Sequence, residues 1–152
     1  MVLQFIFNGL VQASIIVLGA VGLTLVYAVK KFANFAHGDM LTLGAYLTLV
    51  STAITRDLAW AALFSVLFVA VAGALQELLV YARLEGRGPV APLVASVGVA
   101  LILQNSIAAY FGGSRASYGI RYPDNIPLLG GAISANPVRD LMPLAVGFTL
   151  AA

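Results

Sequence analysis

The sequence contains no cysteine. This absence excludes disulfide bonds, thiolate metal ligands and a cysteine nucleophile, and it leaves the redox compartment open. Histidine occurs once, as His37, and the acidic residues are scattered, so we predict no metal site. A single histidine without a nucleophile-elbow motif gives little support to a serine-based catalytic triad. These absences argue against metal-dependent and nucleophilic catalysis.

Charged residues are also scarce. They make up 9% of the chain, apolar residues make up 61%, and the mean hydropathy is +0.99. A soluble domain carries roughly 25% charged residues, so this chain cannot cover a water-facing surface. Its apolar stretches have the length of helices rather than the ~10-residue alternating segments of a membrane barrel. The composition predicts an all-α, polytopic protein of the plasma or inner membrane.

Lysine occurs only as Lys30 and Lys31, and neither follows a glycine-rich stretch. The chain therefore lacks a phosphate-binding loop, and we expect it to be neither an enzyme nor the holder of a cofactor. If ATP powers the protein, partner subunits bind and hydrolyse it. The net charge is +2, without a basic run interleaved with aromatic residues, so we predict no nucleic-acid partner.

The hydrophobic pattern predicts about five transmembrane helices in a single domain, residues 1–152. Charged and proline-rich stretches separate them. Their approximate bounds are residues 2–29, 32–55, 58–80, 93–111 and 141–152, with an extramembrane loop over residues 112–140. The last stretch, of about 12 residues, cannot cross a bilayer. We therefore expect the last helix to be incomplete and the chain to be a fragment or a truncated product.

Lysine and arginine indicate the orientation only by a small margin. The positive-inside rule counts the lysines and arginines on each side of the membrane. The predicted spans place four on each side: a first set of Lys30, Lys31, Arg83 and Arg87, and a second set of Arg56, Arg115, Arg121 and Arg139. The adjacent lysine pair and the short Arg83–Arg87 loop favour a cytoplasmic location for the first set. The amino terminus and the long loop would then lie outside.

One stripe of the first predicted span is polar or small. It consists of Asn8, Gln12, Gly19 and Gly22, at helical spacings of four, seven and three. Small residues allow close approach of helix backbones in lipid, and amides find hydrogen-bond partners there. We expect this stripe to pack on another helix; lining a pore is the alternative.

Residues 34–46, NFAHGDMLTLGAY, place the two ionisable residues His37 and Asp39 in an otherwise apolar run. Continuing a helix from Lys31 at 1.5 Å per residue puts them ~9 and ~12 Å into the hydrocarbon. A buried Asp costs ~2.5–3.5 kcal/mol on insertion scales, so both side chains should face protein or an aqueous path. If Asn34 caps a helix that begins here, the first-turn N–H groups favour an ionised Asp39.

Two further patterns surround this pair. Gly38 and Gly44 lie on two different small-residue faces of the predicted helix, which indicates packing on both sides. A helix break near residue 33 would form a discontinuous entry of the kind that transporters use at substrate sites. His37 and Asp39 either join neighbouring helices through hydrogen bonds or contact substrate or a gate, and the residues leave both interpretations open.

Residues 34–39 (NFAHGD) and 44–46 (GAY) resemble the signature of the permease subunits of branched-chain amino-acid ABC importers, specifically their amino-terminal half. Three further stretches carry the same resemblance in order and spacing: residues 25–29 (LVYAV), 86–98 (GRGPVAPLVASVG) and 101–105 (LILQN). The chain departs from the family pattern at Lys30 and Lys31, where small or apolar residues are usual, and in residues 83–85, which lack the common proline. Family members are about twice as long.

The resemblance implies an ABC-importer permease fold and substrate translocation by alternating access. It also implies a second related permease subunit, two cytoplasmic ATPase subunits that bind ATP, and an extracytoplasmic solute-binding protein. Branched-chain amino acids or related small amides are the implied substrates. Asn34, His37 and Asp39 are the candidate path or gate residues, with Gln104 and Asn105 added from the fourth span. A structural helical subunit and a proton-relay subunit of a membrane enzyme are the alternatives.

Overall fold

The computed structural model describes residues 2–112, 126–128, 133–135 and 143. Within this part the chain is helical apart from connecting segments and one short pair of strands. The α-helices are α1 (Val2–Lys30), α2 (His37–Thr55), α3 (Leu58–Gln76) and α4 (Val90–Phe111). A π-helical segment, Glu77–Tyr81, and a 3-10 turn, Ala82–Leu84, extend α3. The strands β1 (Ile126–Leu128) and β2 (Ile133–Ala135) are antiparallel, with Ile126 opposite Ala135.

Three of the described helical stretches are long and apolar enough to cross a membrane. They are Val2–Lys30, Leu58–Leu84 and Val90–Phe111. The prediction of a helical, polytopic membrane protein is therefore confirmed, although the described residues supply three such helices rather than five. Helix α2 has 19 residues, among them His37, Asp39 and four threonines, and is not one of the three. The predicted span at residues 141–152 lies outside the described residues apart from Pro143.

The chain forms two compact units. One consists of residues Met1–Leu25 and Gly119–Ala152, and the other of Val26–Tyr118. The first contains most of α1 and the strand pair; in this part of α1 the residues shielded from solvent are Val11 and Ser14. The second contains the end of α1 together with α2, α3 and α4.

A tight polar turn joins α2 to α3. Arg56 has a left-handed conformation (φ 56°), and its N–H donates to the carbonyl oxygen of Thr52 at 2.9 Å. The side chain of Asp57 then accepts a hydrogen bond from the N–H of Ala59 at 2.8 Å and caps α3. The chain thus reverses within two residues, which makes α2 and α3 antiparallel neighbours.

Glycines on both helices allow α2 and α3 to approach closely. A β-carbon added to Gly44 would lie 3.4 Å from Cγ2 of Val69, and one added to Gly73 would lie 3.7 Å from Cε of Met40. Small residues give this kind of close contact between helices in lipid. Thr48 and Thr52 donate their hydroxyl hydrogens to backbone carbonyls four residues earlier, at 2.9 and 2.7 Å, so α2 satisfies these polar groups internally.

The second helix begins later than the hydrophobic pattern predicts. Residues 31–36 are not helical, and α2 starts at His37 rather than at residue 32. Lys31 ends α1 in a left-handed conformation (φ 60°). The assumption of a continuous helix from Lys31 to Asp39 is therefore wrong, and the depths of ~9 and ~12 Å derived from it do not hold. The predicted break near residue 33 matches this non-helical segment.

The close approach at Gly44 yields a first prediction. Gly44→Leu forces branched carbons into the space of Val69, and overpacking of this kind costs about 1–3 kcal/mol. We expect a lower thermal melting temperature for the purified full-length protein in detergent, with partial recovery in the Gly44→Leu/Val69→Ala double variant. Gly38 is the matched control: apart from its chain neighbours and the backbone of its own helix, no described atom lies within 4 Å of its added β-carbon. Equal melting temperatures for Gly44→Leu and Gly38→Leu would contradict the packing described here.

Candidate functional site

The non-helical residues 31–36, termed the joint below, include two of the best-buried residues of the described chain. Ala36 is fully buried and Phe32 is 5% exposed, whereas most large apolar side chains of the helices are open to their surroundings. Backbone polar groups that are buried require hydrogen-bond partners, here within the protein. The joint should therefore contact other elements through specific hydrogen bonds, and it does.

Asn34 organises the joint through its side-chain oxygen. Oδ1 of Asn34 accepts a hydrogen bond from the N–H of Ala36 and another from the hydroxyl of Tyr81, both at 3.0 Å. The first bond forms an Asx turn, in which an asparagine bonds the backbone two residues further on. Ala36 is the N-cap residue of α2, without a side-chain cap, so the expectation that Asn34 caps this helix is wrong.

Tyr81 fastens the joint to the third helix. It is 5% exposed, and its hydroxyl accepts a hydrogen bond from Nε2 of Gln76 at 2.8 Å while donating to Asn34. Its ring lies against Phe32, with ring centroids 5.1 Å apart and planes inclined by 58°. The segment Glu77–Tyr81, which Tyr81 ends, is π-helical. Such one-turn π segments occur frequently at functional sites.

An ion pair joins the ends of α1 and α3. Nζ of Lys30 contacts Oε1 of Glu77 and lies 3.5 Å from Oε1 of Glu85. The side chains of Lys30 and Glu77 are each about 30% exposed, whereas that of Glu85 is 71% exposed. An ion pair that is partly shielded from solvent interacts more strongly than a fully exposed one. Lys30 and Glu77 therefore form the principal pair, and Glu85 is a weaker, outer partner.

Ser96 connects the joint to α4. It is fully buried, its hydroxyl oxygen accepts a hydrogen bond from the N–H of Phe35 at 3.1 Å, and its hydroxyl donates to the carbonyl of Leu93 at 2.7 Å. The joint is thus held by side chains from other helical elements. We term Lys30, Asn34, Glu77, Tyr81 and Ser96 the joint cluster.

A cavity of about 650 Å³ lies beside the joint cluster. It is formed where α1 ends, where the extension of α3 ends, and where α4 begins. Its apolar lining consists of Val29, Phe32, Leu84, Pro89 and Pro92. Its charged lining consists of Lys30, Lys31 and Glu85. The cavity can accommodate a ligand that is partly apolar and partly charged.

The structure places the predicted path residue Asn34 within the joint, and the other two, His37 and Asp39, directly after it in the first turn of α2. His37 is the first residue of α2, half-buried, and its N–H donates to the carbonyl of Asn34 at 3.2 Å. Asp39 lies in the first turn of α2 and is also half-buried. Gly38, between them, is exposed. A role of Asn34, His37 and Asp39 in a substrate path stays a prediction.

Two of the other predicted residues, Gln104 and Asn105, lie further along α4 from the joint cluster residue Ser96. Gln104 and Asn105 are exposed, eight and nine residues beyond Ser96, which is ~12 Å along the helix axis. Asn105 donates its side-chain amide to the carbonyl of Leu101 in its own helix, at 2.7 Å. Asn8 and Gln12 are exposed on α1, while Gly19 and Gly22 are half-buried. The roles proposed for these residues remain predictions.

Sequence reasoning did not identify Lys30, Glu77, Tyr81 or Ser96 as site residues. The sequence does contain a pattern from which the Lys30–Glu77 ion pair could have been predicted. The first and third spans are separated by one other span and therefore run in the same direction. Charges at their carboxyl ends then lie on the same side of the membrane. Tyr81 and Ser96 carry no such signal, because neither is charged and nothing in the sequence pairs them with residues 34–36. Within the described residues, no group of three potential metal ligands lies together.

Comparison with known proteins identifies the family. The sequence matches the family described as branched-chain amino acid transport system, permease component, over residues 5–151. The high-affinity branched-chain amino acid transport system permease protein BraD of Pseudomonas aeruginosa is 30% identical over 116 residues, covering 69% of this chain and 37% of that protein. The corresponding LivH proteins of Salmonella typhimurium and Escherichia coli K12 are 29% identical over 115 residues, covering 70% of this chain and 37% of each relative. No solved structure matches the chain.

Because the family match covers nearly the whole sequence, the chain belongs to the permease components of branched-chain amino acid transport systems. The resemblance noted at residues 34–39 is thereby confirmed. The chain is a helical, multi-pass protein of the cell membrane. The matched segment covers 37% of the length of these curated relatives.

The hydrogen bond between Tyr81 and Asn34 yields a second prediction. Tyr81→Phe keeps the ring contact with Phe32 but removes the hydroxyl, and we expect a loss of about 1 kcal/mol in stability. Asn34→Ala should cost more, because it leaves both the Ala36 N–H and the Tyr81 hydroxyl without their acceptor. Melting temperatures of the full-length protein in detergent measure both effects.

A double-variant cycle separates this bond from general loss of packing. In the Asn34→Ala background, Tyr81→Phe should have a smaller effect than in the wild type, because the shared bond is already absent. Tyr110→Phe serves as the control, since Tyr110 is 83% exposed. Fully additive effects of Asn34→Ala and Tyr81→Phe would show that the two side chains act independently.

The Lys30–Glu77 pair yields a third prediction. Glu77→Lys places two cations together at the ends of α1 and α3, and we expect a strong reduction of the protein recovered in folded form from membranes. The charge-reversed double variant Lys30→Glu/Glu77→Lys should restore much of it, because opposite charges again lie together. Glu85→Gln should have a smaller effect than Glu77→Gln, in line with its greater exposure. Size-exclusion chromatography of a fluorescent fusion measures folded protein; failure of the double variant to recover would count against the pair.

Proposed function

We propose that this chain forms part of a permease subunit of an ATP-driven importer for branched-chain amino acids (Leu, Ile, Val) or related small amides. The family match over residues 5–151 carries this proposal, and the names of BraD and LivH agree with it. Apolar substrates suit a protein in which aliphatic side chains predominate and polar groups are few.

In this proposal, partner subunits supply the energy. Two cytoplasmic ATPase subunits bind and hydrolyse ATP, a second related permease subunit completes the translocation path, and an extracytoplasmic solute-binding protein delivers the substrate. Alternating access then requires the helices of the permease to move as groups. The joint cluster supports such movement, because it binds residues 31–36 to the end of the α3 extension and to α4. A displacement of one of these elements would be transmitted to the start of α2.

The candidate path residues follow from this arrangement. His37 and Asp39 stand in the first turn of α2, directly after the joint, where the helix dipole favours a negative charge. Movement of the joint would shift both side chains together. We propose that this turn forms part of the path or a gate beside it, with Asn34 as the residue that positions it.

Gene deletion and complementation test the proposed transport activity. Cells that lack the full-length gene should take up labelled leucine, isoleucine or valine, or a small amide such as urea, more slowly, and the plasmid-borne gene should restore uptake. A tagged full-length protein should co-purify with a P-loop ATPase and a related permease. Unchanged uptake of all these substrates in the deletion strain would refute the proposal.

Asp39→Asn is our fourth prediction. The substitution keeps the shape of the side chain and removes its charge, so uptake should decrease at least several-fold while the amount of protein in the membrane stays the same. Asp57→Asn is the matched control: it also replaces a carboxylate by an amide at the start of a helix, and asparagine caps a helix as well as aspartate does. Wild-type uptake by Asp39→Asn would exclude Asp39 from the mechanism.

A further inference from the structure

The cavity beside the joint cluster lies at the ends of membrane-spanning helices. It is bordered by the carboxyl end of α1, the end of the helical stretch Leu58–Leu84 and the start of α4. Helix ends of this kind lie at the level of the lipid headgroups. The lining residue Val29 is 77% exposed, so among the described residues the cavity is open at this edge to the surroundings of α1. A lipid can therefore reach the cavity from the bilayer.

The charges around the cavity are not balanced. Lys30 is compensated by Glu77 and Glu85. Lys31 lines the cavity and is exposed, and within the described part of the chain it makes no ion pair. Arg83, in the 3-10 turn that ends the α3 extension, and Arg87, in the loop after it, are likewise exposed and make no ion pair among the described residues. The surroundings of the cavity thus carry an excess of positive charge beside an apolar wall.

We propose that this cavity binds the headgroup of an anionic phospholipid, with the lipid phosphate beside Lys31. The first carbons of the acyl chains would lie against Val29 and Phe32. Basic pockets between transmembrane helices bind anionic headgroups in this manner. The proposal concerns a lipid site of the permease and does not depend on the transported substrate.

The shape and lining of the cavity favour a lipid over a free phosphate ion. A small anion would use the cation Lys31 but would gain nothing from the apolar lining formed by Phe32, Leu84 and Pro92. A phospholipid uses both features at once. It also arrives from the bilayer already oriented, with its phosphate at the depth at which the helices end.

Titration with defined lipids tests the proposal. The purified full-length permease is titrated with dioleoyl phosphatidylglycerol, and the bound lipid is counted by native mass spectrometry, with dioleoyl phosphatidylcholine as the reference lipid. We expect the protein to prefer phosphatidylglycerol. Lys31→Gln should weaken binding of this lipid about fivefold, the effect expected for one cation near an anionic membrane surface. A further, smaller decrease is expected for Arg87→Gln.

Arg56→Gln provides a closely matched control. Lys31 and Arg56 are both exposed, both follow the last residue of a helix, and both have a left-handed conformation, with φ values of 60° and 56°. Arg56, however, lies at the far end of α2, ~28 Å along that helix from the joint. Arg56→Gln should leave the affinity for phosphatidylglycerol at the cavity unchanged.

Glu85→Gln is expected to increase lipid binding, a result that loss of folding cannot produce. Glu85 lines the cavity and repels a phosphate, so its neutralisation should raise the affinity for phosphatidylglycerol about fivefold. The proposal is overturned if Arg56→Gln weakens binding as much as Lys31→Gln, or if both lipids bind equally to the wild type. Displacement of the lipid by millimolar inorganic phosphate would assign the cavity to a free anion instead, and displacement by leucine would assign it to an amino acid.

Discussion

The structure depends on one constraint: where the chain leaves a helix and is buried, its backbone N–H and C=O groups must find hydrogen-bond partners within the protein. The joint meets it with side chains. The N–H of Phe35 donates to Ser96, and the N–H of Ala36 donates to Asn34, which also receives the hydroxyl of Tyr81. These three side chains come from different parts of the sequence. The non-helical joint between α1 and α2 is therefore also hydrogen-bonded to α4 and to the extension of α3.

Charged side chains are paired in a similar way. Lys30 and Glu77 belong to different helices and neutralise each other where those helices end, so neither is left unpaired at the edge of the hydrocarbon. Lys31, the next residue, has no such partner among the described residues and lines the cavity instead. Two adjacent lysines thus have different surroundings: one fixes the arrangement of helices, and the other is available to a ligand.

The sequence predicts the class of fold well because hydropathy and length decide which segments enter a membrane. It also predicts the region of interest, since His37 and Asp39 are unusual in an apolar run. It raised a helix break near residue 33 but did not show that α2 begins only at His37. Residues 32–36 are mostly apolar, as in a membrane helix, and tertiary hydrogen bonds hold them in a non-helical conformation. The hydrogen bond from Tyr81 to Asn34 could not be predicted either. It joins residues 47 positions apart, and Tyr81 ends a π-helical turn that no sequence pattern indicates.

The modest hydropathy of α2 has a consequence for how the chain is inserted during synthesis. This helix carries His37 and Asp39 near its start and threonines along its length, and it is not among the helices apolar enough to span a membrane by themselves. The more apolar α3 follows after a turn of two residues and packs closely against it at Gly44. If α2 and α3 enter the membrane together as one helical hairpin, the favourable free energy of inserting α3 offsets the less favourable insertion of α2. We therefore expect the membrane insertion machinery to release α2 and α3 into the lipid together.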